Sequence, residues 1–402
     1  MSAGHDDIII VGAGLAGVRT AQTLRDLGHT GRIRLYSEET EPPYDRPPLS
    51  KGFLTGSRGD EAIRFQAPGD YVDQRIELVL GAHATALDPR SRTLGFADGT
   101  ETGYGRLVVA TGARPRELPV LPASTAVHYL RTAADARRLG AALGPGRRVT
   151  VVGGGFIGLE VACAALSLGG SVTVLEVAAL PLAGVVGATA ARWVCDWHLA
   201  RGMTFRTGVT VTGAYETAGA QVLRLDDGSE VVADVVVVGV GVVRDTEWLS
   251  AAGLEVHHGL VCDRTGRTGT RDVFGTGDVM CLHDDAGCRL LGHWTAAADS
   301  AARVAEAVVL GDVGGGVEAA EDDGFFWSDQ GSLRLQFAGH IGADVEITVV
   351  GDGRGGDAVV VHYKSRGRLA GVFAANSPRA FLRGRAALRS AGAIRTTERS
   401  TL

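Results

Sequence analysis

Lysine is nearly missing from this chain. Of its 40 basic residues, Lys51 and Lys364 alone are lysines, so a lysine inside a motif points to a task that the broad, planar guanidinium of arginine does not perform. Cysteine is scarce as well. Cys163, Cys195, Cys262, Cys281 and Cys288 form no CxxC, which excludes the common zinc and redox-dithiol spacings and leaves all five to be read as buried thiols. No stretch of about 18 apolar residues occurs, and the apolar run in "MSAGHDDIIIVGAG" has no basic flank and leads straight into a glycine turn. Neither a membrane span nor a secretory signal is therefore expected, and the expected compartment is the cytoplasm. An excess of positive charge is lacking too: a net charge of -6 and a pI of about 6.0 argue against a general nucleic-acid binder. The histidines His128, His198, His257, His258, His283, His340 and His362 show no metal-ligand spacing, so no metal is expected and they are given no catalytic role. "WSDQ" lacks the glycine-flanked turn of a hydrolase nucleophile.

Glycine, by contrast, is abundant at 58 residues, so no single glycine motif argues alone. With 45% apolar and 21% charged residues, the 402-residue chain belongs to the globular class and is long enough for two or three domains. "DDIIIVGAGLAGVRTAQTLRDLG" reads as strand, tight turn and helix, and "GRIRLYSEE" as the next strand. The same grammar returns in "RRVTVVGGGFIGLEVACAALSLGGSVTVLE". "EVVADVVVVGVGVV" and "RDVFGTGDVMC" add apolar strands that end in glycine turns, and "TAAADSAARVAEAVVLG" has a helical pattern. From Phe325 on, "FFWSDQGSLRLQFAGH", "DVEITVVGDG" and "DAVVVHYKSRGRLAGVFAAN" alternate apolar and polar residues, as an antiparallel sheet packed on one face does.

In "VGAGLAG", Gly12, Gly14 and Gly17 fit GxGxxG. The first glycine permits the turn, the second lets the backbone approach a pyrophosphate, and the third lets the helix pack on the strand. Glu38 ends the following strand, where a carboxylate can accept hydrogen bonds from ribose hydroxyls. Gly153, Gly155 and Gly158 repeat the pattern, with Glu176 in the corresponding place. A carboxylate there favours a free 2'-hydroxyl over a 2'-phosphate, and the nearest following arginine is the distant Arg192, so NADH is favoured over NADPH. Two such units in one chain invite the reading of one bound flavin and one exchanging nicotinamide.

Taken in order, "VGAGLAG", "PYDRPPLSK", "ATGARPR", "YLRT", "VVGGGFIGLE", "VVVVGVGVV", "GTGDV", "HW" and "FWSDQ" resemble the FAD-dependent NAD(P)H:ferredoxin reductases of the putidaredoxin and rubredoxin reductase type. The resemblance covers nearly the whole chain. It implies an α/β fold of the glutathione-reductase kind, with two Rossmann-like dinucleotide-binding domains and a small α+β C-terminal domain. The implied boundaries are an FAD-binding domain in two pieces (1–114 and 241–312), an inserted NAD(P)H-binding domain (115–240), a linker (313–324) and the C-terminal domain (325–402). Gly12, Gly14, Ala16, Gly17, Glu38, Arg46, Lys51, Thr111, Gly112, Arg131, Gly277, Asp278, Trp294 and Trp327 are implied to hold FAD. Gly153, Gly155, Ile157, Gly158 and Glu176 are implied to hold NADH.

Lys51 and Glu160 are implied to form the catalytic pair. A compact ammonium near flavin N5 would stabilise negative charge on the reduced ring where a guanidinium would not fit, and Glu160 would hold that lysine. With no CxxC, electrons are expected to leave the flavin directly for a 2Fe-2S ferredoxin or a rubredoxin that serves a P450 or an oxygenase. A monomer or a homodimer is expected. The arginine-rich segment from Arg379 to Leu402, with Arg383 and Arg385, could help to dock an acidic ferredoxin. Two positions depart from the family pattern: Gly292 where a glutamate is common and Gly184 where an arginine is common. They keep an NADH oxidase or a small-molecule flavin oxidoreductase as the alternative.

Overall fold

The computed structural model describes residues 6–217, 219–284, 287–290, 292–310, 323–342, 344–351 and 356–399, and strands and sheets are counted over these. They divide into two compact units. The first takes residues 6–45, 60–114 and the described part of 242–310; the second takes 46–59, 115–241 and the described part of 323–399. The lysine loop 46–59 thus groups with the second unit and not with the rest of 1–114. The expected linker lies outside the described residues except for Asp323 and Gly324.

In the first unit five parallel strands lie in the order Val273–Gly275, Arg106–Val109, Ile8–Val11, Ile33–Tyr36 and Ile76–Val79. Ile8–Val11 is buried along its whole length. A parallel strand covered on both faces has no wet side, which is why its sequence reads as an unbroken β-branched run. Helices Leu15–Asp26 and Trp294–Leu310 pack together, with Ala16, Val18, Ala21 and Leu24 sharing a core with Ala297, Ala301, Val304 and Ala305. Small side chains at that face let the helices approach closely.

One expectation fails in this unit. Cys281 and Cys288, read from the sequence as thiols, are joined as a disulfide with their Cα atoms 5.6 Å apart. They lie on the antiparallel strands Met280–Asp284 and Gly287–Leu290, whose register sets His283 opposite Cys288. Cys281 is therefore diagonal to Cys288 on one face, and no sequence spacing of the CxxC kind reveals such a pair. Cys195 and Cys262 are buried free thiols, and Cys163 is a half-buried one.

The second unit carries a parallel sheet in the order Thr204–Thr207, Ser171–Glu176, Arg148–Val152, Val235–Val238 and Val127–Tyr129. It also holds an antiparallel sheet in the order Phe326–Gln330, Leu333–Gly339, Arg368–Ala375, Val359–Ser365 and Glu346–Gly351, followed by helix Pro378–Arg399. The two layers share one core, in which Phe326, Leu335, Phe337 and Phe373 meet Leu159, Ala162, Val194 and Trp197. Among the described residues no helix is long and apolar enough to cross a membrane, and no group of His, Cys, Asp or Glu could hold a metal ion.

Candidate active site

The glycine turn of the first unit is closed where it must be and open where a ligand would need room. Gly12 has φ +106°, and a Cβ there would lie 2.2 Å from the Ala110 carbonyl oxygen and 2.9 Å from the Thr111 nitrogen. At Gly17 a Cβ would lie 1.9 Å from the Gly12 carbonyl. At Gly14, the N-cap of helix Leu15–Asp26, it would meet nothing within 4 Å, and no side chain caps the helix. Free N–H groups thus face open space. Gly277, at φ +72°, packs against Ala16, and its N–H donates to Ser300 Oγ at 3.1 Å. That seats the "GTGD" turn, with the half-buried Asp278, beside the same helix start. Gly112 also takes a positive φ of +75°, next to the exposed Thr111. Trp294 Nε1 donates to Asp45 Oδ1 at 2.8 Å. Glu38 is largely exposed, with His83 Nδ1 3.9 Å away.

The second glycine turn repeats this plan in the second unit. A Cβ at Gly153 (φ +106°) would lie 2.4 Å from the Gly239 carbonyl oxygen, and one at Gly158 2.2 Å from that of Gly153, while Gly155 again opens on empty space. Ile157 stands half exposed in the first turn of helix Phe156–Ser167. Glu176 is brought onto this turn directly. Its Oε2 accepts from the Gly154 N–H at 2.7 Å and its Oε1 from the Ala178 N–H at 2.9 Å. The carboxylate is thereby oriented by backbone donors before any ligand arrives.

Lys51 and Glu160 meet in this unit as well. Lys51 Nζ donates to Glu160 Oε2 at 2.6 Å, to the Pro47 carbonyl at 3.0 Å and to Ser50 Oγ at 3.3 Å, so each of its three hydrogens has an acceptor. The short turn Pro47–Ser50 sets this geometry, because two prolines restrict its backbone. Glu160 is 6% exposed and Lys51 22%. A buried carboxylate needs more than one partner. Glu160 Oε2 also accepts from Ser50 Oγ, and its Oε1 accepts from Ser328 Oγ at 2.6 Å.

Ser50 and Ser328 were not among the residues expected from the sequence, and neither were those that continue behind Ser328. Gln330 Nε2 donates to Ser328 Oγ at 3.2 Å. His198 Nε2 lies 2.6 Å from Gln330 Oε1, and its Nδ1 lies 3.7 Å from Cys163 Sγ. The signal was present in "FWSDQ": strand alternation puts Phe326, Ser328 and Gln330 on the buried face and Trp327 and Asp329 on the other. Two polar residues on an inward face need partners.

Burial holds His198 near pKa 4, helped by the nearby Arg201 and opposed by the bond to Gln330. Burial, with Glu160 nearby, pushes the Cys163 thiol up to about 12. Both groups are therefore neutral at pH 7. The folded value of His198 lies below that of the unfolded chain, so its contribution to stability is fully present above about pH 6.5 and is lost as pH falls through 4. Replacing His198 with glutamine is expected to flatten the fall in stability across that window by about 3 kcal/mol. Denaturant unfolding of both proteins at a series of pH values checks this, and parallel pH curves would contradict it.

Arg46 and Arg131 are also neighbours, the first donating to the backbone carbonyl of the second at 2.6 Å. Trp327 is half-buried and stacked on Phe325, with ring centroids 6.0 Å apart. Gly184 and Gly292 border open space. The proposed docking arginines divide. Arg383 is exposed, whereas Arg385 binds Asp323 with both Nε (2.7 Å) and a terminal nitrogen (3.0 Å) and lies over the Phe325 ring. Burial alone would raise the Asp323 carboxyl, but the bonds from Arg385 and Arg389 outweigh it and hold the group below its usual range. Arg385 thus serves the fold of its own unit.

Residues 6–301 match the family described as pyridine nucleotide-disulphide oxidoreductase, and residues 325–399 match the family described as reductase C-terminal. The ferredoxin–NAD(+) reductase component of an anthranilate 1,2-dioxygenase system from Burkholderia cepacia is 39% identical, over 92% of this chain and 91% of that protein. Putidaredoxin reductase from Pseudomonas putida is 35% identical, over 83% of this chain and 80% of its own length. A crystal structure of a covalent putidaredoxin reductase–putidaredoxin complex superimposes with a TM-score of 0.89 at 32% identity, over 97% of this chain and 94% of that one.

Proposed function

Because this chain belongs to the pyridine nucleotide-disulphide oxidoreductase family, in its branch of putidaredoxin reductase-type ferredoxin reductases, we propose that it is an NADH:ferredoxin reductase. Its electrons would go to a ferredoxin-type iron-sulfur protein that serves an oxygenase or a P450, in the cytoplasm. FAD, when bound, supplies the step between a two-electron hydride donor and a one-electron acceptor.

The residues present fit that group. Open space above Gly14, on an uncapped helix start closed off by Gly12 and Gly17, is what a pyrophosphate requires. We assign Gly12, Gly14, Ala16, Gly17, Glu38, Thr111, Gly112, Gly277, Asp278 and Trp294 to FAD, together with Arg46, Lys51, Arg131 and Trp327. Gly153, Gly155, Ile157, Gly158 and Glu176 are assigned to NADH.

The observation that carries the reading is the Lys51–Glu160 pair. One of only two lysines in the chain is held by three acceptors, one of them a carboxylate buried to 6% exposure. A structural cation could equally have been arginine, as 38 others are. Lys51 presents a compact positive charge, and Glu160 keeps it in place.

Anaerobic stopped-flow mixing with NADH, NADPH and then a 2Fe-2S ferredoxin or a rubredoxin tests the proposal. Bleaching by NADH and rapid reoxidation by either protein support it. Bleaching without reoxidation by either protein moves the chain to an oxygen-linked or small-molecule oxidoreductase. In the same assay Glu176→Ala is expected to raise the NADPH-to-NADH preference about tenfold, because the ribose loses its carboxylate partner. An unchanged ratio would contradict the assignment of Glu176.

A further inference from the structure

The pair Lys51–Glu160 stands at the end of a longer line of bonds. Cys163 Sγ, His198, Gln330, Ser328 and Glu160 follow one another at 3.7, 2.6, 3.2 and 2.6 Å. His198 and Ser328 are each 1% exposed and Gln330 0%, so water has little access to stand in for these three. We propose that Ser328, backed by Gln330, His198 and Cys163, is a positioning residue that fixes the Glu160 carboxylate and through it the Lys51 ammonium. The inference rests on the reading of Lys51 as the group that faces the flavin.

The donor and acceptor inventory gives the line one direction. Lys51 and Ser50 donate to Oε2 of Glu160, leaving Oε1 to be satisfied from the other side. Ser328 has a single hydrogen. With the Gln330 amide N–H aimed at its oxygen, that hydrogen goes to Glu160. Gln330 can present its N–H to Ser328 only if its carbonyl faces His198, and a neutral His198 can supply the required Nε2–H only as the tautomer with Nδ1 as acceptor. The Cys163 thiol, half-buried and kept protonated by burial, faces that Nδ1. Each member excludes the flipped state of the next. Donors all point toward the carboxylate, so each bond polarises the one after it.

A merely satisfied core would not need this order. Each of these polar groups is costly when buried unpaired, and valine on the inward face of "FWSDQ" would avoid that cost. The line also ends on the carboxylate that holds Lys51, although its members come from helix Phe156–Ser167, helix Ala183–Leu199 and strand Phe326–Gln330.

The test uses the full FAD-loaded chain and two readouts. The first is the rate constant of flavin reduction by NADH, measured with NADH affinity and with reoxidation by ferredoxin. Ser328→Ala is expected to lower reduction about tenfold, leave affinity and reoxidation within about twofold, and be rescued by Ser328→Thr. Gln330→Met, which keeps the bulk, is the second variant should Ser328→Ala not fold, and is expected to lower reduction in the same way.

The second readout is the nitrogen NMR of the His198 ring. It should show the Nε2–H tautomer in the wild type and shift in whichever of the two variants is folded, with or without FAD. Unchanged reduction in a folded variant, or ring resonances indifferent to the substitution, overturns the relay. A wild-type protein that NADH does not reduce removes the proposed function instead, and the NMR comparison then decides the relay alone.

Discussion

Replacing Lys51 with alanine is expected to slow reduction of the bound flavin by NADH about 100-fold, the scale seen when one preorganised electrostatic partner is removed. NADH affinity should change less than about threefold, because the charge that Lys51 meets develops only during transfer. Anaerobic stopped-flow measurements over a range of NADH concentrations separate the two quantities, and an equal loss in both would refute the role. Lys51→Arg should recover little. Three acceptors from Pro47, Ser50 and Glu160 surround a compact ammonium within 3.3 Å, and a planar guanidinium cannot present its hydrogens to all of them from one point. The alanine variant also leaves Glu160 buried with two hydroxyl donors but no cation, so a lower melting temperature should accompany the slower reduction.

The glycines of the first turn should separate into two classes on substitution. Gly12→Ala is expected to cost about 4 kcal/mol, from a positive φ that alanine tolerates poorly and from a Cβ placed 2.2 Å from the Ala110 carbonyl. At Gly14 an added Cβ meets nothing within 4 Å and the backbone is extended, which suits the β-branched side chain of Gly14→Val. Its cofactor-free form should melt as the wild type does, while FAD retention falls about 100-fold because the side chain fills the space a pyrophosphate would take. Thermal unfolding of the cofactor-free proteins and flavin content after dialysis give the two readings. Loss of cofactor-free stability at Gly14, or normal flavin content there, would contradict the assignment of that space.

The two glycine turns were legible in the sequence because their requirements are local. Backbone that must turn at φ +106° under a neighbouring carbonyl selects glycine, and buried parallel strands select β-branched runs. The alternating C-terminal strands, the family phrases and the absence of long apolar runs could be read in the same way. The Cys281–Cys288 bridge could not, since it depends on a hairpin register. Nor could the fate of Arg385, whose charge is taken up by Asp323, 62 residues away. Ser50, Ser328, Gln330 and His198 were passed over because hydroxyl, amide and imidazole groups carry no motif of their own.

By itself, then, the sequence determined the turns, the strands, the family and the singling out of Lys51. Only the tertiary structure decided what holds that lysine. Glu160 comes to it across 109 residues, Ser328 to Glu160 across 168, and His198 to Gln330 across 132. Local sequence records what a backbone position will tolerate. Pairing between distant side chains is settled when burial removes water and each polar group must bond to whatever the fold has placed beside it.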